Sequence, residues 1–166
     1  AAIEGCLTEW KIEKEDVAGI GIGVPGPVLE NAVVMKCVNL GWGRVDVARV
    51  LGEKTGLKVR VGNDANVAAL GEMWQGGGKG NKNVVMVTLG TGVGGGMIVN
   101  GQVIGGSNGA GGEIGHIFVE ENEPEACGCG KHGCLEQYAS ATGIVRLAKR
   151  ALAADGRETA LRGPKN

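Results

Sequence analysis

Hydrophobic positions fall along this chain in short blocks with two different spacings. Residues 17–24 (VAGIGIGV) alternate apolar side chains with glycine, and residues 84–89 (VVMVTL) form an almost unbroken apolar run; both predict buried strands. Residues 57–62 (LKVRVG) predict a third strand. Helical spacing runs through 46–55 (DVARVLGEKT), stopped by Gly56. It returns over about 65–75 (ANVAALGEMWQ), where Asn63-Asp64 supplies a cap. Residues 1–10 read as the end of a helix, and 142–154 (TGIVRLAKRALAA) as an amphipathic helix capped by Thr142. Asn100-Gly101, flanked by 96–99 and 102–104, predicts a type I′ hairpin. A Gly-rich loop over 105–112 leads to a short strand near 114–119, and residues 76–80 (GGGKG) read as a linker. Strands alternating with helices, plus one hairpin, predict an α/β fold with mixed sheets.

Composition narrows the function classes. The 166 residues suffice for one ordinary domain or two small halves. The 33 glycines have no period, which excludes collagen and points to tight turns and backbone that approaches ligands closely. Net charge is −1, from 17 basic and 18 acidic residues, with no long basic run and only 3% aromatics, so nucleic acid is not an expected partner. No signal peptide or membrane span is evident, so a cytoplasmic protein without a membrane partner is expected. The start Ala1-Ala2-Ile3-Glu4 lacks an initiator Met, which predicts that the sequence begins inside a longer protein.

The loops carry the chemistry. Gly21-Ile22-Gly23-Val24-Pro25-Gly26 fits GxGxxG, but two prolines follow and no helix is expected until about residue 46, so a dinucleotide fingerprint is disfavoured. The segment 87–97 (VTLGTGVGGGM) places Gly90, Gly92, Gly94, Gly95 and Gly96 within seven residues, between two hairpin strands. Its amides can form an anion nest, to which Thr91 adds a hydroxyl. Asp64, after a buried strand, reads either as a helix cap or as a general base in a cleft, and the two roles can coexist. Cys127, Cys129 and Cys134 form C-x-C-x4-C; three thiolates need a fourth ligand for a closed tetrahedral zinc site. His116 or His132 could supply it, with His116 preferred because His132 lies between two of the cysteines.

Five segments together resemble the ROK family (repressors, open reading frames and sugar kinases): residues 23–26 (GVPG), 62–66 (GNDAN), 89–96 (LGTGVGGG), 112–116 (GEIGH), and 127–129 (CGC) through 133–136 (GCLE). They occur in family order and are most similar to its bacterial glucose-phosphorylating members. The resemblance implies an actin-like ATPase (ribonuclease H-like) fold. Residues 1–81 would be the C-terminal part of its smaller N-terminal domain, and 82–166 the N-terminal part of its larger C-terminal domain, carrying the zinc motif. It implies phosphorylation of glucose to glucose 6-phosphate by ATP, with Asp64 as base on the 6-hydroxyl and Asn63, Glu113, His116 and Glu136 as sugar-binding residues. Gly90, Thr91, Gly92 and Gly94 would approach the ATP phosphates. A structural zinc would be held by His116, Cys127, Cys129 and Cys134, magnesium would arrive with ATP, and the protein would be a homo-oligomer, dimer or tetramer.

The family's first phosphate motif, Asp-x-Gly-Gly-Thr, does not occur in these residues, and neither does the segment that covers adenine, so this polypeptide alone is expected to be impaired. The alternatives are a ROK-type sugar-responsive repressor, a kinase for another hexose or N-acetylhexosamine, a polyphosphate-dependent kinase, and a zinc-stabilised module without catalysis.

Overall fold

The computed structural model describes residues 2–37 and 40–162. Helix α1 (Ala2–Trp10) buries none of its residues; Ala1, at the start of the expected helix, lies outside the described residues. Strand β1 (Ile20–Val24) leads through Pro25-Gly26-Pro27 into three two-residue strands, β2 (Val28–Leu29), β3 (Val33–Val34) and β4 (Val45–Asp46). These three pair antiparallel in the order β2-β3-β4. They have no sequence signal, because two residues are too few to show a period. Helix α2 (Val47–Thr55) starts where the Asp46 side chain accepts the Arg49 amide at 2.9 Å, and stops at left-handed Gly56.

Strand β5 (Val59–Asn63) pairs in parallel with β1, with Val24 opposite Asn63. Both strands therefore end at one level, the usual position for a ligand site in parallel sheets. Val24, Val34, Cys37, Val47 and Val61 form the core beneath them. Helix α3 (Asp64–Gln75) leaves β5 directly, and the Asn63 side chain caps it by accepting the Asn66 amide at 3.1 Å. Asn63 also donates through Nδ2 to the Gly26 carbonyl at 3.3 Å, which ties the Pro-Gly turn to the helix start. Gly26 has φ 103° and packs against the Lys36 carbonyl, so no other residue fits there without strain. The fragment GxGxxG thus ends in a strand-turn-strand, and the disfavoured dinucleotide reading has no helix to support it.

Residues 76–81 form an ordered turn: the Gly78 amide donates to the Glu72 carbonyl, and the Asn81 amide to Gly78. Then β6 (Val84–Leu89), β7 (Val93–Val99) and β8 (Gln102–Val103) form an antiparallel sheet. The β7–β8 turn has positive φ at Asn100 and Gly101, as its sequence predicts. The glycine run differs from expectation. Only Gly90–Gly92 form the loop, while Gly94, Gly95 and Gly96 lie inside β7 opposite Thr88, Val87 and Met86. Gly94 and Gly96 are there because α3 crosses β7 with only alanine methyls between: a β-carbon on Gly96 would stand 2.6 Å from the Ala69 β-carbon and 2.9 Å from the Ala65 carbonyl oxygen, while one on Gly95, on the other face, would meet the Gly112 carbonyl and Ile114.

The remaining chain has little regular structure until α4 (Glu136–Ala139) and α5 (Ala141–Ala154). The strand expected near 114–119 is a 3-10 turn at Ile114–His116, followed by a single bridge from Phe118 to Cys134. Its apolar residues brace a turn and pair too briefly to make a strand. The cap of α5 is Ser140, which accepts the Gly143 amide at 2.9 Å; Thr142, the expected cap, sits inside the helix and donates to the Thr91 carbonyl at 2.8 Å.

The cysteine-bearing segment is clamped to α5 by Glu123, whose side chain is fully buried. Arg146 grips it through two nitrogens at 2.7 and 2.9 Å, Tyr138 donates its hydroxyl at 2.5 Å, and Arg150 lies at 3.3 Å. The Arg146 hydrogen bonds, with that of Tyr138, hold the Glu123 carboxyl well below the usual carboxylate range. The molecule also carries an open apolar face. Its surface is 11205 Å², whereas a compact monomer of 16.9 kDa exposes about 7,700 Å². Val85, Val87 and Leu89 on the outer face of β6 are 71, 50 and 66% exposed.

Three stability outcomes follow, each measured by denaturant titration of the full-length protein. Gly96→Ala is expected to cost about 1–3 kcal/mol through overpacking. Gly71→Ala, exposed on α3 with open space around it, is expected to gain about 0.5–1 kcal/mol. Equal effects would contradict the close α3–β7 contact. Glu123→Gln is expected to cost about 3 kcal/mol, the low end for a buried pair because its arginine partners remain partly in water. The Glu123 carboxyl is lowered in the folded state, so its contribution is complete above the ordinary value of 4.5 and is lost as pH falls below it. The variant's melting temperature should therefore vary less with pH below that point than the wild type's.

Candidate functional site

The level ends of β1 and β5 form one wall of a cleft of about 480 Å³, and the β6–β7 turn with the Glu113–His116 segment forms the other. Its lining includes Asn63, Asp64, Glu113, His116 and Glu136 together with Gly90, Thr91, Gly92 and Gly94. Every sugar-contacting, proton-accepting and phosphate-loop residue expected from the sequence is thus at one cavity, of a size that suits a small ligand.

Adjacent residues Asn63 and Asp64 divide two tasks. Asn63 is the helix cap, with its oxygen on Asn66 and its nitrogen on Gly26. Asp64 is exposed at the first helical position, and among the described residues its carboxylate meets one donor, the neighbouring Ala65 amide at 2.9 Å. Its carboxylate is free to meet a ligand. Across the cleft, the Gly90–Gly92 turn is fastened from behind. Its Gly90 carbonyl accepts the Ala141 amide at 2.8 Å and its Thr91 carbonyl accepts Thr142, while on the cleft side Glu136 Oε2 accepts the Val93 amide at 3.0 Å.

His116 joins the cleft to the cysteine cluster. Its Nδ1 lies 3.8 Å from Cys127 Sγ, and its Nε2 faces Glu113 Oε2 at 4.0 Å. Cys129 and Cys134 Sγ are 3.6 Å apart, and all four donor atoms lie within 4.8 Å of one another. The 3.6 and 3.8 Å pairs match the ~3.5–3.8 Å edges of a tetrahedron with metal–sulfur bonds of about 2.3 Å. They are far longer than a disulfide of about 2.05 Å. Burial pushes the Cys134 thiol up to about 12, so a metal entering here would displace protons. His132 is turned away: its Nδ1 meets the Glu123 carbonyl at 2.9 Å. Of the two histidines left open by the sequence, His116 is the one in the cluster. The set can hold a metal ion.

Sequence reasoning missed three supporting groups. The Gln137 side chain accepts the Cys134 amide at 3.0 Å and donates to the Glu125 carbonyl at 2.8 Å, which closes the cysteine loop. Glu123 anchors that loop to α5, and Thr142 reaches the Gly turn 51 residues away. The first two had no local signal. The Thr142 contact could have been suspected from a polar residue beside a ready Ser140 cap.

Known proteins resemble this chain over most of its length. The ROK family matches residues 1–162. A glucokinase of Halalkalibacterium halodurans is 52% identical over 148 residues, covering 89% of this chain and 45% of that protein. The xylose repressor of Bacillus subtilis is 36% identical over 140 residues, covering 84% of this chain and 36% of the repressor. The crystal structure of a ROK family glucokinase from Streptomyces griseus, in complex with glucose and AMPPNP, superimposes with a TM-score of 0.75 at 39% identity, covering 92% of this chain and 49% of that one. The chain spans about half the length of the curated glucokinases it matches. Its mixed sheets, cleft and neighbours are those of the actin-like ATPase fold, and the chain belongs to the ROK family.

Proposed function

We propose that the full-length protein carrying this chain phosphorylates glucose with ATP to give glucose 6-phosphate. One observation carries the reading: Asp64, Asn63, Glu113, His116 and Glu136 line one cleft together with the Gly90–Gly94 backbone. In the proposed reaction the sugar 6-oxygen attacks the γ-phosphorus. The bond from that phosphorus to the ADP oxygen breaks, a new phosphorus–oxygen bond forms to the sugar, and the hydroxyl proton passes to Asp64. Asn63, Glu113, His116 and Glu136 hold the other hydroxyls. The amides of Thr91 and Gly92, which have no acceptor among the described residues, receive phosphate oxygens. Magnesium comes with the nucleotide.

The fourfold donor set is assigned to a structural zinc held by His116 Nδ1, Cys127, Cys129 and Cys134. Its three-thiolate, one-imidazole chemistry and near-tetrahedral spacing support that choice. Zinc would fix the His116 ring so that Nε2 stays toward Glu113 and the sugar. Unpaired thiols in such a cluster also suit the reducing cytoplasm. A boundary between two lobes near residues 81–82 is supported by the separation of the β1–β5 and β6–β7–β8 sheets. The repressor reading draws on the xylose repressor similarity. It predicts sugar binding without turnover.

A coupled assay of the full-length protein across hexoses and N-acetylhexosamines, with Mg-ATP or polyphosphate, is expected to give its highest kcat/KM with glucose and ATP. Sugar binding with no turnover on any pair would transfer the assignment to the repressor. Asp64→Asn is expected to lower kcat at least 100-fold, the low end for general-base assistance of about 10²–10⁴. Because Asn63 holds the cap, melting should be unchanged and glucose affinity should shift less than about tenfold. More than a tenth of wild-type rate in this variant would place the base elsewhere. Metal analysis is expected to find one zinc per chain, lost progressively as acid reprotonates the thiols. Under about half an equivalent, with all thiols freely reactive, would refute the zinc site.

A further inference from the structure

The most consequential side chain at the cleft is one whose carboxylate sits where an anion belongs. Glu136 Oε2 accepts the Val93 amide at 3.0 Å, at the end of the Gly90–Gly92 turn. The carboxylate presses so closely over Gly92 that a β-carbon there would collide with Oε2. Glu136 also lines the cleft beside Asp64, Glu113 and His116. A carboxylate oxygen on a backbone amide at such a turn has the charge and acceptor character of a phosphate oxygen. The turn itself does not depend on this bond for its position. The Ala141 amide and the Thr142 hydroxyl hold its Gly90 and Thr91 carbonyls, each at 2.8 Å.

We propose that Glu136 is a positioning residue that couples the two substrates: with the cleft empty its carboxylate occupies the phosphate turn, and sugar draws it away so that the nucleotide can take the Val93 amide. The inference rests on the kinase reading above. Two anions near one turn repel each other most strongly where water is excluded, so nucleotide binding before sugar carries a penalty. Rotation of the Glu136 side chain releases both the Val93 amide and the 3.8 Å contact of Oε1 with Cys127 Sγ, while the turn stays anchored. Coupling of this kind is reciprocal, so nucleotide must favour sugar by the same factor.

Calorimetry on the full-length enzyme tests this, with a non-hydrolysable ATP analogue and magnesium as one probe and glucose as the other. In the wild type, glucose is expected to tighten the analogue about tenfold, and the analogue to tighten glucose equally. Glu136→Gln keeps the size and an acceptor oxygen but removes the charge. It is expected to bind the analogue about five- to tenfold more tightly than wild type without sugar, and to bind glucose more weakly. The effect of glucose on the analogue should shrink below about twofold. A residue that merely braced the turn would give the opposite sign or no change, so unchanged or weaker sugar-free nucleotide binding overturns the proposal. Hydrogen exchange on the unaltered enzyme is a second measurement, independent of how the variant folds. Glucose alone is expected to speed exchange at the Val93 amide, and added nucleotide to slow it; exchange unchanged or slowed by glucose alone also overturns the proposal. A wild type that binds both probes without coupling overturns this inference and leaves the kinase reading standing. A wild type that binds neither overturns both.

Discussion

The close approach of α3 to β7 is the constraint on which the site depends. The methyls of Ala65 and Ala69 and the Ala65 carbonyl of the helix lie directly on Gly94 and Gly96 of the strand. A side chain on Gly96 would collide with Ala69 and the Ala65 carbonyl and force the helix outward. The helix carries Asp64 at its first position and the strand carries the Gly turn at its start, so this one distance sets the depth of the cleft. Glycine in a strand interior costs conformational entropy and adds no packing of its own. The gain here is geometric: two elements distant in sequence present their ends to one ligand-sized space.

A second set of contacts fixes what lies opposite Asp64. The chain from Glu136 to Thr142 touches the Gly turn with one carboxylate, one amide and one hydroxyl. The same stretch is fastened to the cysteine segment through Gln137 and, by way of Arg146, to buried Glu123. A metal on His116 and the three cysteines would therefore organise more than a loop tip. It would stiffen a path that runs from the His116 ring, through Cys134 and Gln137, to the start of α5 and the back of the turn. This gives a physical reason for a metal cluster beside the cleft that does not require the metal to touch the reacting groups.

Much of the site was legible because its chemistry is local. The three cysteines lie within eight residues, Asn63-Asp64 adjoin a helix start, and Asn100-Gly101 dictates its own turn. What stayed hidden depends on distant contacts. The glycine run reads as loop from sequence alone, since Ala65 and Ala69 on one face and Gly112 and Ile114 on the other explain why Gly94–Gly96 can be strand. Ser140 and Thr142 are both plausible caps by residue type, and the choice is decided by the Thr91 carbonyl, far away in sequence. The fourth donor was open between two histidines until the Glu123 carbonyl was seen to hold His132. The tiny strands β2 to β4 were beyond any periodicity argument.

The pairing of Asn63 with Asp64 follows from incompatible demands on one polar group. A helix cap must aim its oxygen down at amides of the first turn, and that aim is stabilised by holding the side chain still. A proton acceptor must aim outward, at a ligand, and keep a lone pair unengaged until the reaction reaches it. A carboxylate used as the cap would spend its acceptor capacity on amides, and the bonds would lower its basicity. An amide suits the cap better, since its nitrogen can also donate, as Asn63 does to the Gly26 carbonyl. Placing the amide one residue before the carboxylate lets the backbone rotate Asp64 toward the cleft while the helix start is already secured. With β5 running straight into α3, the order Asn-Asp, and not Asp-Asn, is the one that would suit a base at this position.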